Sequence, residues 1–141
     1  MTADIKQLTE QFSVSAQLTA DEVKGLANRG IKSMICNRPD GEAADQPNVA
    51  EIDTAASEAG IELAYLPVEP GQFSGKDVSD FLAALQRLPS PVHAFCRTGT
   101  RSATLWALSQ RRMGAGIQDL LEIASAHGYD LSSALKTVDE T

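Results

Sequence analysis

The stretch "PVHAFCRTGTRSATLWALSQRRMG", residues 91–114, decides how this chain is expected to fold. Residues 91–95 are short, mostly apolar and led by a proline, which is typical of a buried strand. A loop with one glycine follows, and residues 102–113 then carry apolar side chains at helical spacing before Gly114. A strand, a short loop and a helix in this order predict one unit of a parallel sheet covered by helices.

The same alternation runs through the rest of the chain. Strands are predicted at residues 12–16, 32–36 and 61–68, the first of them at a sheet edge. Helices are predicted between Thr19 and Gly30, where Thr19 and Glu22 form a capping-box pattern, and at 48–60, 76–88, 116–128 and 131–138. We therefore expect an α/β fold with a mainly parallel central sheet of four to five strands and helices on both faces. The length of 141 residues, 43% of them hydrophobic, predicts a single domain over residues 1–141.

Composition and charge exclude several classes of partner. The net charge of −7 argues against nucleic acid and against an anionic membrane surface. The chain has no run of eighteen apolar residues and a polar start, so we expect no signal peptide, no membrane partner and a cytoplasmic location. Its two cysteines are expected to be reduced thiols. Small anions are therefore the ligand class that the sequence favours.

Cys96 lies where the predicted strand 91–95 ends and the loop begins. The carboxyl ends of parallel strands are where open α/β sheets bind ligands. The loop also leads into a helix, whose first amides and partial positive charge favour anions. Together with Arg97 and Arg101, these groups favour the thiolate form of Cys96 and make it a candidate nucleophile for an anionic substrate.

The other loop residues have expected roles in holding that anion. Gly99 allows the backbone to turn inward tightly. Arg101 ends the loop, where it can fold back as a bidentate clamp. Arg97 is expected to add a second positive charge that helps to hold the anion. The hydroxyls expected to bond the thiolate or the ligand belong to Thr98, Thr100 and Ser102.

Polar residues also follow the strand at 32–36, at the same edge of the sheet. Arg38 and Asp40 either shape the pocket or form a loop salt bridge. Cys36 either resolves a persulfide as a disulfide or is simply a buried strand residue. His93 is expected to be structural. Because no His, Cys and carboxylate cluster has metal-ligand spacing, we expect no metal and no cofactor.

Four motifs together resemble one known family. They are "QLT" at 17–19, "CNRPDGE" at 36–42, "YLPVEPGQ" at 65–72 and "CRTGTRS" at 96–102. The chain resembles, over nearly its whole length, the bacterial family named for the phosphatase-like domain of beta-lactamase hydrolase-like proteins. This resemblance implies the fold of dual-specificity protein tyrosine phosphatases. Because the family also carries a sulfur transferase label, it implies the fold more firmly than the reaction.

The length of the Cys96 loop helps to distinguish phosphate-ester hydrolysis from sulfur transfer. Cysteine phosphatases have the pattern C-x5-R, whereas only four residues separate Cys96 from Arg101. The loop is similar to the C-R-x-G-x-R loop of rhodaneses, which accept a sulfane sulfur on cysteine. A shorter ring of amides leaves less room for a tetrahedral phosphoryl group.

The need for a general acid also distinguishes a phosphatase from a sulfurtransferase. A phosphatase must protonate its leaving group, and in the resembled phosphatases an aspartate does so from a loop where this chain has Pro70. Glu69 or Asp77 could substitute for it. Phosphatases also usually have histidine before the cysteine, where this chain has Phe95. Sulfite is a stable leaving group, so sulfur transfer from thiosulfate needs no acid.

These differences make a thiol-dependent sulfurtransferase the function that the sequence favours. The Cys96 thiolate would take sulfane sulfur from thiosulfate or a small persulfide, and a thiol acceptor or cyanide would remove it. The first alternative is a cysteine-dependent phosphatase that hydrolyses a phosphomonoester through a phosphocysteine on Cys96. The second is a noncatalytic anion-binding module in which the loop senses a ligand.

Overall fold

The central sheet is mainly parallel, as predicted. The computed structural model of the protein describes residues 4–71 and 73–139. Within these residues one sheet has the strand order β1-β2-β5-β3-β4, in which β1 pairs antiparallel with β2 and every other pair is parallel. The strands are β1 (Lys6–Thr9), β2 (Phe12–Ser15), β3 (Ser33–Cys36), β4 (Glu62–Tyr65) and β5 (Val92–Phe95).

Helices connect the parallel strands and cover both faces of the sheet. They are α1 (Ala20–Asn28), α2 (Val49–Glu58), α3 (Gly75–Arg87), α4 (Thr100–Arg112), α5 (Ile117–Ala126) and α6 (Ser132–Asp139). The predicted capping box of α1 is confirmed, because the Glu22 N–H donates to Thr19 Oγ1 at 3.3 Å and the Thr19 N–H donates to Glu22 Oε1 at 2.9 Å. No helix in the described part of the chain is both long enough and apolar enough to cross a bilayer.

Two apolar clusters flank the sheet. On one face, α1 and α2 pack buried residues such as Leu26 and Ile52 with Phe95. On the other face, α3 to α6 pack Phe81 and Trp106 among many others, and the Trp106 indole stacks on Phe12 with ring centroids 5.9 Å apart. Because helices cover both faces, the loops at the carboxyl ends of β3, β4 and β5 are left to form a site at one edge of the sheet.

The prediction that residues 12–16 form an edge strand is wrong. The unpredicted strand β1 covers that side, so β2 lies between β1 and β5. Its Ser13 and Ser15 are fully buried, and their hydroxyls lie 2.7 and 2.8 Å from the two ring nitrogens of His93. These contacts satisfy polar groups that would otherwise be costly to bury.

His93 is structural, as expected, and its protonation follows from its partners. The Ser15 hydroxyl donates to the carbonyl of Ala16 at 2.9 Å, so it accepts a hydrogen bond from His93 Nε2. His93 Nδ1 then accepts from Ser13. Burial lowers the pKa of His93 to about 3, which keeps the ring neutral.

Candidate active site

The Cys96 loop joins the end of β5 to the start of α4. Cys96 is fully buried, and the Gly99 N–H donates to its Sγ at 3.0 Å. Gly99 is the N-cap of α4 and has a φ of +92°, a left-handed conformation that glycine adopts without strain. The loop therefore aims a backbone donor at the sulfur where the helix begins, which favours negative charge at that point.

The hydroxyls of the loop have partners other than the sulfur. Thr98 Oγ1 and Thr100 Oγ1 lie 3.0 Å apart on the exposed side of the loop. Ser102 is buried, and its hydroxyl donates to Asn37 Oδ1 at 2.8 Å, while Asn37 Nδ2 donates to the Leu66 carbonyl at 2.9 Å. The Ser102–Asn37 contact thus ties α4 to the ends of β3 and β4. The structure consequently gives Ser102 a bracing position beneath the loop.

Arg101 is held by a carboxylate that the sequence analysis did not single out. Its Nη1 and Nη2 donate to the two carboxylate oxygens of Glu42 at 2.8 and 2.9 Å, and Nη1 also donates to the Val68 carbonyl at 2.9 Å. The Arg101 side chain is only 8% exposed. The bidentate pairing expected of Arg101 is therefore made with Glu42 in this structure.

Arg38 shares the same carboxylate. Its Nε donates to Glu42 Oε1 at 3.0 Å and its Nη1 to Gln17 Oε1 at 3.1 Å. Hydrogen bonds from Arg101 and then from Arg38 hold the pKa of Glu42 below its usual value. The bond to Glu42 and the nearby Cys96 raise the pKa of Arg101. Two buried cations and one carboxylate leave an excess positive charge beside Cys96, which suits an anionic ligand.

The remaining predicted pocket residues lie around this network. Asp40 does not pair with Arg38; its Oδ1 accepts from the Val49 N–H at 2.8 Å and braces the start of α2. Arg97 is exposed on the outer side of the loop, and the described part of the chain places no ion pair on it. Glu69 is exposed and directly follows the Val68 carbonyl that binds Arg101.

Asp77, a candidate general acid, and Cys36, a candidate resolving thiol, are both hydrogen-bonded to structural partners. Asp77 caps α3, where its Oδ2 accepts from the Ser74 N–H at 3.0 Å. Cys36 is a buried thiol whose Sγ donates to the Arg38 carbonyl at 3.5 Å, and burial raises its pKa to about 11. Among the residues described, no group of three or more His, Cys, Asp or Glu side chains could hold a metal ion.

A small cavity lies next to the Arg101 contact. Its volume is about 200 Å³, and it opens between the end of β4 and helices α3 and α4. The residues that line it are Tyr65, Leu66, Pro67, Val68, Asp77, Asp80 and Leu105. Because Val68 belongs both to the cavity wall and to the contact with Arg101, the cavity adjoins the site.

Comparison with known sequences identifies relatives over this same region. The model of the phosphatase-like domain of beta-lactamase hydrolase-like protein matches residues 4–113. The beta-lactamase hydrolase-like protein of Xylella fastidiosa is 34% identical over 132 residues, 93% of this chain, and that of Agrobacterium fabrum is 30% identical over 135 residues, 94% of this chain. Each alignment covers 31% of the relative, so this chain spans about a third of the length of those proteins.

Comparison with solved structures gives the same fold. A candidate phosphatase of Neisseria meningitidis is 34% identical with a TM-score of 0.86, and the alignment covers 96% of both chains. Kinase-associated phosphatase, solved with its catalytic-site cysteine replaced by serine, is 13% identical with a TM-score of 0.70 over 87% of this chain and 82% of its own. The predicted dual-specificity phosphatase fold is confirmed. These similarities fit the phosphatase alternative better than the sulfurtransferase that loop length favours.

Proposed function

Because the chain belongs to the family of the phosphatase-like domain of beta-lactamase hydrolase-like proteins, we propose that it is a cysteine-dependent phosphatase acting on small phosphomonoesters. The observation that carries this proposal is the pairing of two groups around Cys96. The Gly99 N–H points at Sγ, and Glu42 fixes Arg101 close enough to Cys96 for the two groups to interact electrostatically. The similarity to the Neisseria structure supports it.

The proposed reaction has two steps. The Cys96 thiolate attacks phosphorus, an S–P bond forms, and the bond from phosphorus to the leaving oxygen breaks. Gly99 and Arg101 stabilise the negative charge on the phosphoryl oxygens. Water then attacks the phosphocysteine, which releases phosphate and restores the thiolate. We propose that the cavity lined by Val68 receives the carbon skeleton of the leaving group.

A second candidate function rests on the loop length. Four residues separate Cys96 from Arg101, as in the rhodanese loop that Cys96–Arg101 resembles, and Asp77 is engaged as a helix cap. We therefore keep sulfur transfer through a Cys96 persulfide as the competing proposal. Its substrate is thiosulfate or a small persulfide, and its acceptor is a thiol.

One mass-spectrometric experiment separates the two proposals. The protein is mixed with p-nitrophenyl phosphate or with thiosulfate, quenched in acid within the first turnovers, and its intact mass is recorded. We expect a phosphoryl adduct on Cys96 with the first reagent and no lasting sulfur adduct with the second. A gain of one sulfur atom from thiosulfate, with no nitrophenol released from the ester, would replace the phosphatase proposal by sulfur transfer.

Glu69 is the carboxyl group that we propose as the leaving-group acid. It is exposed next to the anchored Val68, whereas Asp77 is occupied in the α3 cap. We expect Glu69→Gln to lower kcat by about 100-fold for phenyl phosphate, whose leaving group needs a proton, and only slightly for p-nitrophenyl phosphate. Asp77→Asn is the matched control. Equal losses on both esters would show that Glu69 is not the acid.

A further inference from the structure

Tyr129 contacts the Cys96 loop from a distant part of the chain. It lies between α5 and α6, outside residues 4–113 that the family model matches, and only 9% of it is exposed. Its hydroxyl donates to the Thr98 carbonyl at 3.3 Å. The segment after α4 thereby reaches the loop that carries the candidate nucleophile.

The contact acts on one peptide group of the loop. The Thr98 carbonyl and the Gly99 N–H belong to the same planar peptide and point in opposite directions. Tyr129 binds the carbonyl end, and Cys96 Sγ accepts a hydrogen bond from the N–H end. Rotation of this peptide would turn the carbonyl oxygen toward the thiolate and remove its donor.

A second contact between Tyr129 and Gly99 reinforces the first. A Cβ atom added to Gly99 would overlap the Tyr129 hydroxyl and come within 3.2 Å of ring carbon Cζ. The phenol thus occupies the space that a side chain at position 99 would need. Burial, and then the nearby Cys96, raise the pKa of Tyr129, so the hydroxyl keeps its proton and remains a donor at neutral pH.

We propose that Tyr129 is a positioning residue for the Cys96 loop. It fixes the Thr98–Gly99 peptide so that the Gly99 N–H faces the thiolate and, during phosphoryl transfer, the developing negative charge. The effect on turnover rests on the proposed phosphatase function. The effect of Tyr129 on the Cys96 thiolate does not rest on that function, because this effect depends only on the hydrogen bond from the Gly99 N–H to Sγ.

The test compares Tyr129→Phe with a variant that loses a similar bond elsewhere. Ser109→Ala is the matched control, because the buried Ser109 hydroxyl donates to the Leu105 carbonyl at 2.7 Å further along α4. The fraction of Cys96 thiolate is followed by its ultraviolet absorbance against pH, with Cys96→Ser as the blank. Tyr129→Phe should move the midpoint to higher pH and lower kcat/KM about fivefold, as expected for one lost hydrogen bond, and Ser109→Ala should change neither.

Measuring both the thiolate midpoint and kcat/KM keeps this inference separate from the proposed function. If the wild type hydrolyses no phosphomonoester, the proposed function fails, and the thiolate midpoint still decides the role of Tyr129. An unchanged midpoint in Tyr129→Phe overturns the inference. So does an equal shift in Ser109→Ala, since that would reflect general loosening of α4. Tyr129→Leu, which also removes the ring, should shift the midpoint at least as far as Tyr129→Phe.

Discussion

Replacing Cys96 with serine is expected to lower phosphatase turnover by about 10⁴-fold or more while leaving the fold intact and phosphate binding undiminished. Loss of a nucleophile that acts in concert with its neighbours has effects of this order or larger. The serine hydroxyl is not ionised at neutral pH, so it cannot replace the thiolate. The arginines and the loop amides remain. Inorganic phosphate should bind more tightly to the variant, because the repelling negative charge of the thiolate is gone.

Cys36→Ala is the matched control for this result. Cys36 is the other thiol of the chain and is buried at the end of β3, but it donates to the Arg38 carbonyl and not to the Cys96 loop. The control should retain most of the activity. Turnover is measured with p-nitrophenyl phosphate, and phosphate binding by the rise in Tm. Unchanged turnover in Cys96→Ser would remove the phosphocysteine mechanism. Absence of turnover in the wild type, together with no sulfur adduct from thiosulfate, would favour the anion-binding module.

The sequence predicted the elements that carry strong local signals. The strand before Cys96, its loop and the helix after it depend on periodicity and on one glycine, and all three lie where they were expected. The Thr19–Glu22 capping box is a similar local pattern. The resemblance to phosphatases then gave the fold class correctly. Loop length, also a local feature, pointed instead to sulfur transfer, and the whole-chain similarity fits the phosphatase better.

The features that sequence reasoning missed depend on contacts between distant residues. Strand β1 is short and mostly polar, so its residues show no strand pattern, and its position determines that β2 is not an edge. Ser13 and Ser15 of β2 are buried, and their hydrogen-bond partner His93 lies some 80 residues away in the sequence. Glu42 lies in a glycine- and proline-containing loop, 59 residues from Arg101. No spacing rule could have paired them.

Glu42 is expected to be the next most sensitive residue of the site. Its carboxylate is the shared partner of Arg38 and Arg101, whose side chains are 6% and 8% exposed. Glu42→Gln keeps the shape of the side chain but leaves both arginines without a compensating negative charge in a poorly solvated place. Because removal of one partner of a largely buried ion pair is strongly destabilising, we expect a loss of about 2 kcal/mol in the free energy of unfolding. Turnover should fall as well, since Arg101 loses the group that orients it.

Phosphate should reverse part of that loss of stability. An anion that binds the folded state alone stabilises it by about 2.7 kcal/mol at 100 times its Kd. Because two uncompensated arginines attract phosphate more strongly, a given concentration should stabilise Glu42→Gln more than the wild type. The control is Glu62→Gln, which breaks the exposed pair with Arg87 at 2.8 Å and should cost less than about 1 kcal/mol with no added response to phosphate. Equal phosphate responses in all three proteins would show that Glu42 does not compensate the anion site.

The pH dependence of stability provides an independent check on Glu42. Hydrogen bonds from Arg101 and Arg38 lower the pKa of Glu42 in the folded state, so its contribution is fully present above the unfolded value of about 4.3. That contribution is lost as the pH falls through the lower folded value. The difference in unfolding free energy between wild type and Glu42→Gln, measured by urea denaturation, should therefore shrink below pH of about 4.3. His93 also makes stability fall as the pH drops from about 6.5 toward about 3, but it does so in both proteins and cancels in the difference. A difference that stays constant into the acid range would mean that the carboxylate of Glu42 does not stabilise the two arginines through its charge.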